Sequence, residues 1–401
     1  MAAAGEVRAT VWRWAAATAG NTMAKGAGSD VDFQVLRSGG APAAVMPSVL
    51  SYFRDYFSPD SRAPRASHST GQIAAHLYQV MRSWGPVTYL DDGDQPRGLS
   101  ANLYVGHFWA FQRMATVNDF AARVAFYVVA DPDWTRRLLL PLAESFGVPV
   151  PEWDLPPSGF DHEATMELSD LVFLVGNSFT LSTFPARWHD KIRLLNYSVD
   201  VRRYVADLGV ERRRNDFVYV ATQCSLRKGF PDVVRTWAGV DPRRAQLHVV
   251  GSLAAPFDGM LAAHDNGSIV VHGFVPSDSD RYARLLQSCR FAYIPTYSEG
   301  QMGTVLEAIY AGCVPITTRA SGVADGVLEH CVVVEPLDIA GQREAIERAL
   351  SWSEEEYAHR AALLMSAATR LQSWDLFEER VHAGIKSLLP GSVPVTRDRQ
   401  A

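Results

Sequence analysis

Four cysteines in 401 residues, Cys224, Cys289, Cys313 and Cys331, are too few and too scattered to staple a fold, and none form a C-x-x-C pair. They read as reduced, mostly buried thiols of a cytoplasmic protein. No apolar run reaches the length a bilayer-spanning helix needs. Residues 1–24 are alanine-rich, but Glu6, Arg8 and Arg13 break the apolar core that a secretory leader requires. A basic excess is also missing. Lys and Arg number 38 against 44 Asp and Glu, a net charge of −6, which argues against a general nucleic-acid binder while leaving room for a local basic pocket. No G-x-G-x-x-G follows a strand-like run, which disfavours a dinucleotide-dependent dehydrogenase. Short repeats and low-complexity tracts are absent.

What is present is a 47% hydrophobic chain, enough for two α/β domains of ordinary size. Residues 1–46 give no clear period. Strands are then expected over 49–53, 87–90, 103–105, 124–130, 171–175 and 192–195, alternating with helices such as 69–82, where Thr70 reads as a cap and Gly71 as a turn glycine. The charged run 211–216 reads as a linker or a solvated turn. A second alternating series follows, with strands over 217–221, 246–251, 269–271, 290–295, 314–317 and 332–334. A polar loop over 224–229 carries Arg227 and Lys228, and an amphipathic helix over 374–388 closes the series. Strand, turn, helix, strand is the unit of a doubly wound sheet.

The stretch 295–315 carries the densest chemistry. A buried strand ends at Pro295, a glycine-bearing loop follows, and a short helix from about Thr304 is terminated by Gly312. Glu299 therefore lies at the carboxyl end of a strand, where open α/β sheets bind ligands. Gly303 and Thr304 present free N–H groups at a helix N-terminus, which suits a phosphate. Glu307, about one turn further on, is badly placed for phosphate and well placed for hydroxyls. Together they suggest a phosphorylated sugar or nucleotide; a capped surface helix with two solvated acids is the plainer reading. Two Asp-x-Asp triplets, Asp92-Gly-Asp94 and Asp131-Pro-Asp133, follow expected strands and could bridge a divalent ion to a diphosphate, or be ordinary turns.

Glu299-Gly-Gln-Met-Gly-Thr-Val-Leu-Glu307 resembles the signature of retaining glycosyltransferases of the GT-B fold, family four (glycosyl transferases group 1). Other features follow in order: Gly106-His107 at a strand end, Asn196-Tyr-Ser-Val-Asp200, Lys228-Gly229 and His272-Gly273-Phe274-Val275. The resemblance implies an α/β fold with two facing Rossmann-like domains, an interdomain cleft and a C-terminal crossover helix. The implied divisions are an N-terminal extension (1–46), an acceptor domain (47–205), a nucleotide-sugar domain (206–372), a crossover helix packing on the N-terminal domain (373–390) and a tail (391–401).

The implied reaction moves a sugar from a nucleotide diphosphate to an acceptor hydroxyl with retention, without a metal or other cofactor. Glu299 and His107 take the catalytic positions. Glu307 would hold the ribose, and Gln223, Arg227, Lys228, Phe274, Gly300, Gly303, Thr304 and Val305 complete the donor side. Gly71, Trp109 and Asn177 fall on the acceptor side. The implied partners are a nucleotide diphosphate sugar and a glycan, lipid or small-molecule acceptor; peripheral membrane contact stays open, nucleic acid does not. The chain departs from the family where an arginine is usual five residues before the lysine: Gln223 stands there, so Lys228 and Arg227 must neutralise the diphosphate. Gln301-Met302 replaces the usual phenylalanine–glycine, and Ser198 a usual glycine. Three alternatives remain at this stage: a non-catalytic sugar-nucleotide or carbohydrate-binding scaffold, a metal-dependent GT-A enzyme built on the Asp-x-Asp triplets, and an epimerase or hydrolase on the same two-domain plan.

Overall fold

The structure, a computed structural model, describes residues 46–57, 69–157, 159–205, 208–253 and 255–389. Expectations placed on the N-terminal extension and on the C-terminal tail lie outside the described residues. Two six-stranded sheets are present, and every paired strand in them is parallel. The first holds β1 (Ser48–Tyr52), β2 (Val87–Asp91), β3 (Ser100–His107), β4 (Asp119–Tyr127), β5 (Leu171–Val175) and β6 (Ile192–Leu195) in the order β2-β1-β3-β4-β5-β6. The second holds β7 (Arg213–Cys224), β8 (Gln246–Leu253), β9 (Ile269–Gly273), β10 (Cys289–Ile294), β11 (Val314–Thr317) and β12 (Val332–Val333) in the order β12-β11-β10-β7-β8-β9. Parallel neighbours need crossover helices, which cover both faces of the sheet. The central strands are accordingly apolar without alternation: every residue of β5 and of β10 is buried.

In a doubly wound sheet the crevice opens at the carboxyl ends of the strands where the order reverses. Those points lie between β1 and β3 in the first sheet, and between β7 and β10 in the second. The residues following these four strands are the ones the topology offers to a ligand. The helix Trp374–Leu388 returns to the N-terminal unit, lying on the helix Ser69–Trp84 and on β5 and β6. His76 stacks on Trp374 and pairs with Glu378 at 2.6 Å, and the Trp84 indole donates to His382 Nδ1. Gly384 permits the approach, because a Cβ there would stand 2.5 Å from the Phe173 ring.

Three local expectations are corrected. The run 211–216 is not a solvated turn: β7 starts at Arg213, and Asp216 is buried, holding His248 Nε2 and Arg213 Nη1 at 3.0 Å each. Strand β3 is longer than the expected 103–105: it runs Ser100–His107, with the histidine as its last residue. Thr70 and Gly71 lie inside the helix Ser69–Trp84, and Gly71 is a buried helical residue.

Candidate active site

The second sheet's switch point is drawn together by a glycine. Gly229 follows β7 with φ +69°, and a Cβ there would fall 1.9 Å from the Pro295 carbonyl oxygen, so only glycine lets the β7 and β10 loops touch. Across that contact the Tyr297 N–H and the Thr296 hydroxyl both donate to Arg227 O, at 2.9 and 3.0 Å. Tyr297 is anchored in turn by its hydroxyl on buried Asp232 at 2.7 Å. The next residues, Ser298 and Glu299, are thereby fixed opposite the end of β7.

Two cations meet there. Lys228 Nζ pairs with Glu299 Oε1, and Arg227 Nη1 with Oε2 at 3.2 Å. Arg227 Nε also donates at 2.7 Å to Asp154, which comes from the N-terminal unit on the turn Glu152–Asp154. Glu299 and Asp154 are both buried. Burial lowers the pKa of Lys228, with Arg227 adding to the effect and Glu299 opposing it. Burial acts the same way on Arg227, but the carboxylates of Glu299 and Asp154 outweigh it and hold the guanidinium firmly protonated. Lys228 is one of four lysines in a chain whose other 34 basic residues are arginine, which itself argues against a casual surface lysine. Gln223 is the penultimate residue of β7, half-buried beside β8.

The helix Gly303–Tyr310 starts from Met302 without a side-chain cap and ends at Gly312, whose φ is +89°. Its N-terminus is approached by Tyr197, whose hydroxyl donates to Gln301 O at 2.9 Å and lies against Gly303. Thr304 Oγ1 is buried with no protein partner, whereas Val305 belongs to the core and offers a ligand only its backbone. Glu307 receives the hydroxyls of Tyr282 and Tyr204; burial raises its pKa, and the two tyrosines and Arg203 oppose the rise. It lines a small cleft with Ser69, Gln72, Asp200 and Arg203. Phe274 is 43% exposed after β9, two strands away from β7.

On the N-terminal side His107 is 1% exposed at the end of β3, between Tyr52, Phe53, Phe108 and Trp109. Its Nδ1 faces Asp92 Oδ2 at 3.6 Å, and the Trp109 indole N–H is buried without a protein partner. The second triplet is similarly occupied: Asp131 caps the helix Pro132–Phe146 through the Trp134 N–H and holds His162 Nε2 at 3.0 Å. In both triplets the first acid faces a histidine, which the sequence did not indicate. Asn177 caps the helix Ser178–Ser182 with its oxygen and donates its amide to Arg319 O and Val323 O, both at 3.1 Å, so it joins the two units. Gly71 lies in the helix Ser69–Trp84, apart from the charged cluster.

The residues missed from sequence are those that close the units. Gln301 Nε2 donates to Tyr197 O at 2.9 Å, and its oxygen accepts from Tyr197 N at 3.2 Å and Asn196 Nδ2 at 3.4 Å. Thr135 and Ser298 share a hydroxyl hydrogen bond of 2.8 Å. Asp154 had no signal in Glu-Trp-Asp-Leu-Pro-Pro; Gln301 was visible only as a departure from the family pattern.

Residues 214–351 match the family described as glycosyl transferases group 1. Among curated proteins, a glycogen synthase from Mesorhizobium japonicum is 27% identical over 183 residues, covering 43% of this chain and only 37% of the synthase. Solved structures share the fold over most of the length. A sucrose-phosphate synthase from Thermosynechococcus elongatus gives a TM-score of 0.59 at 14% identity, covering 86% of this chain and all of that one. A UDP-forming trehalose-phosphate synthase from Burkholderia xenovorans gives 0.60 at 12%, covering 86% and 99%. HepE from Anabaena, solved with UDP and glucose, gives 0.57 at 12%, again covering 86% and 99%. The family match is confined to the C-terminal unit and contains Lys228, Glu299 and Glu307, while the two parallel six-stranded sheets give the whole chain the GT-B fold of these neighbours.

Proposed function

We propose that the protein is a retaining, metal-independent glycosyltransferase that moves a sugar from a nucleoside diphosphate to an acceptor hydroxyl. The observation that carries this is the convergence of Lys228 and Arg227 on Glu299, with Glu307 one turn inside the adjacent helix. As the bond from the sugar to the diphosphate breaks, negative charge grows on the leaving phosphate. Two half-buried cations and a helix N-terminus are preorganised for that charge. Glu299, released from the cations by the incoming diphosphate, faces the sugar and supports the positive charge at its anomeric carbon. Glu307 takes the ribose hydroxyls in exchange for those of Tyr204 and Tyr282. The N-terminal unit, with His107 and Trp109 at its own switch point, receives the acceptor, and the acceptor's hydroxyl proton leaves with the diphosphate. HepE with UDP and glucose, and a UDP-forming synthase, support a nucleotide-sugar donor of that kind. The setting is cytoplasmic synthesis of a glycan, glycolipid or smaller glycoside, with domain limits near 205 and 372.

Thermal shift against UDP, ADP, GDP and their sugars tests the reading. One nucleoside diphosphate should stabilise the protein, and Glu307→Ala and Lys228→Ala should each weaken its binding by about tenfold or more. Unchanged affinity in both variants would sink the assignment. One observation favours a second reading, a non-catalytic binding scaffold: Tyr197 already occupies the helix N-terminus meant for phosphate. Binding without turnover of any donor would select it.

A further inference from the structure

We propose that Asp154 is a positioning residue of the diphosphate clamp: from the N-terminal unit it fixes the Arg227 guanidinium beside Lys228, so the second charge of the clamp is in place only when the units are closed. This rests on the glycosyltransferase reading above. The need for a second cation follows from Gln223, which can hydrogen-bond a phosphate but brings no charge. Lys228 alone would face a diphosphate dianion or trianion from a half-buried position whose desolvation disfavours its own charge.

Arg227 is the other cation at the end of β7, and two carboxylates from two different units hold it. One of them, Glu299, must let go when a diphosphate arrives, since carboxylate and phosphate compete for the same donors. Asp154 does not compete. Its side chain is 1% exposed, and it grips Nε at 2.7 Å, the end of the guanidinium nearest the stem. With Nε held, Nη1 keeps its aim toward the place Glu299 vacates. The side chain does nothing for its own turn, which is closed by the Asp154 N–H on Pro151 O. Its second oxygen, Oδ2, is buried without a partner, so Arg227 is the charge that justifies the buried carboxylate. In an open arrangement this anchor is lost, and Arg227 returns to a long side chain with several rotamers. Closure and charge supply are thus one event.

The test compares nucleoside diphosphates with the nucleosides that lack the phosphates, using UDP, ADP and GDP against uridine, adenosine and guanosine by calorimetry. Asp154→Asn should weaken the preferred diphosphate about tenfold while the matching nucleoside stays within about twofold. In an Arg227→Ala background the same substitution should have no further effect, and Asp154→Glu should recover part of the loss. A merely structural ion pair would lower both ligands together, or neither. Equal losses, or an undiminished diphosphate preference in Asp154→Asn, would overturn the proposal. A wild-type protein that shows no preference for diphosphate over nucleoside would remove the clamp itself, and the glycosyltransferase reading would fall with it.

Discussion

Gly300→Ala should separate closure from folding. Gly300 lies between Glu299 and Gln301, and a Cβ there would stand 2.2 Å from Val128 O and 2.8 Å from Val175 O, at the carboxyl ends of β4 and β5. Both obstacles are backbone, so no rotamer relieves them. On the other side the Gly300 carbonyl is pressed against Gly322, where a Cβ would approach to 1.4 Å. A carbon–oxygen contact wants about 3.3 Å, so the loop must withdraw from the N-terminal sheet by roughly 1 Å. That withdrawal stretches the three Gln301 hydrogen bonds to Asn196 and Tyr197 past useful length. At about 0.5–1.5 kcal/mol each, the loss is on the order of 2–4 kcal/mol, or ~30- to 1,000-fold in the ratio of closed to open forms. Each unit keeps its own core, and alanine keeps the backbone N–H. Small-angle scattering should show an expanded particle, calorimetry a nucleoside affinity within about threefold of wild type with the nucleoside diphosphate weakened about tenfold, and donor turnover a fall of at least about 30-fold. A variant as compact, as stable and as active as the wild type would refute the view that this contact holds the closed form.

Two further outcomes follow from the buried ionisable groups. Glu307 has its folded pKa raised by burial, so its contribution to stability is full below the ordinary glutamate range and is lost as pH rises through the raised value. Glu307→Gln should therefore unfold at higher temperature than wild type at neutral pH, with the gap closing on acidification, while nucleotide binding weakens. Lys228 has its pKa lowered by burial, so diphosphate affinity should fall with rising pH below the ordinary lysine value of about 10.4, and Lys228→Arg should hold its affinity across that range. Because the unfolded chain binds that proton more tightly, the stability contribution of Lys228 rises over the same window, opposite to affinity. Affinity that stays level in wild type to pH 10 would contradict the burial effect.

Much of the fold was legible because parallel sheets covered on both faces leave a plain mark: β5 is an unbroken apolar run, and β10 is one from Phe291 onward. Gly312 and Gly229 were legible for a local reason, since each meets a left-handed backbone or a close approach. The start of β7 was not. Its first residues are charged because the amino ends of parallel strands reach solvent, and the pairing of Asp216 with His248 joins positions 32 apart. Gly71 misled because a glycine in a polar stretch looks the same whether it turns the chain or lies buried within a helix. Asp154, Tyr197 and Gln301 were hidden more deeply. Each acts on a partner from the other unit, at a separation of 73 residues for Asp154 and 104 for the Tyr197–Gln301 pair, and no periodicity reports such a contact.

The charge balance of the site ties these observations to chemistry. With all four groups ionised, Asp154, Arg227, Glu299 and Lys228 carry no net charge, so the closed protein without donor tolerates their burial. A diphosphate upsets that balance and can be accommodated only by displacing an anion from the cations. Asp154 is buried behind Arg227, while Glu299 sits on the loop between β10 and the helix Gly303–Tyr310, next to Gly300. On the proposed function Glu299 is therefore the anion that would move. Its displacement would leave a carboxylate beside the sugar as the leaving group is neutralised, so that diphosphate binding would arm the residue proposed to stabilise the opposite charge. Donors that lack the diphosphate would leave Glu299 locked on Lys228 and Arg227, which makes the clamp a filter on turnover as well as on affinity.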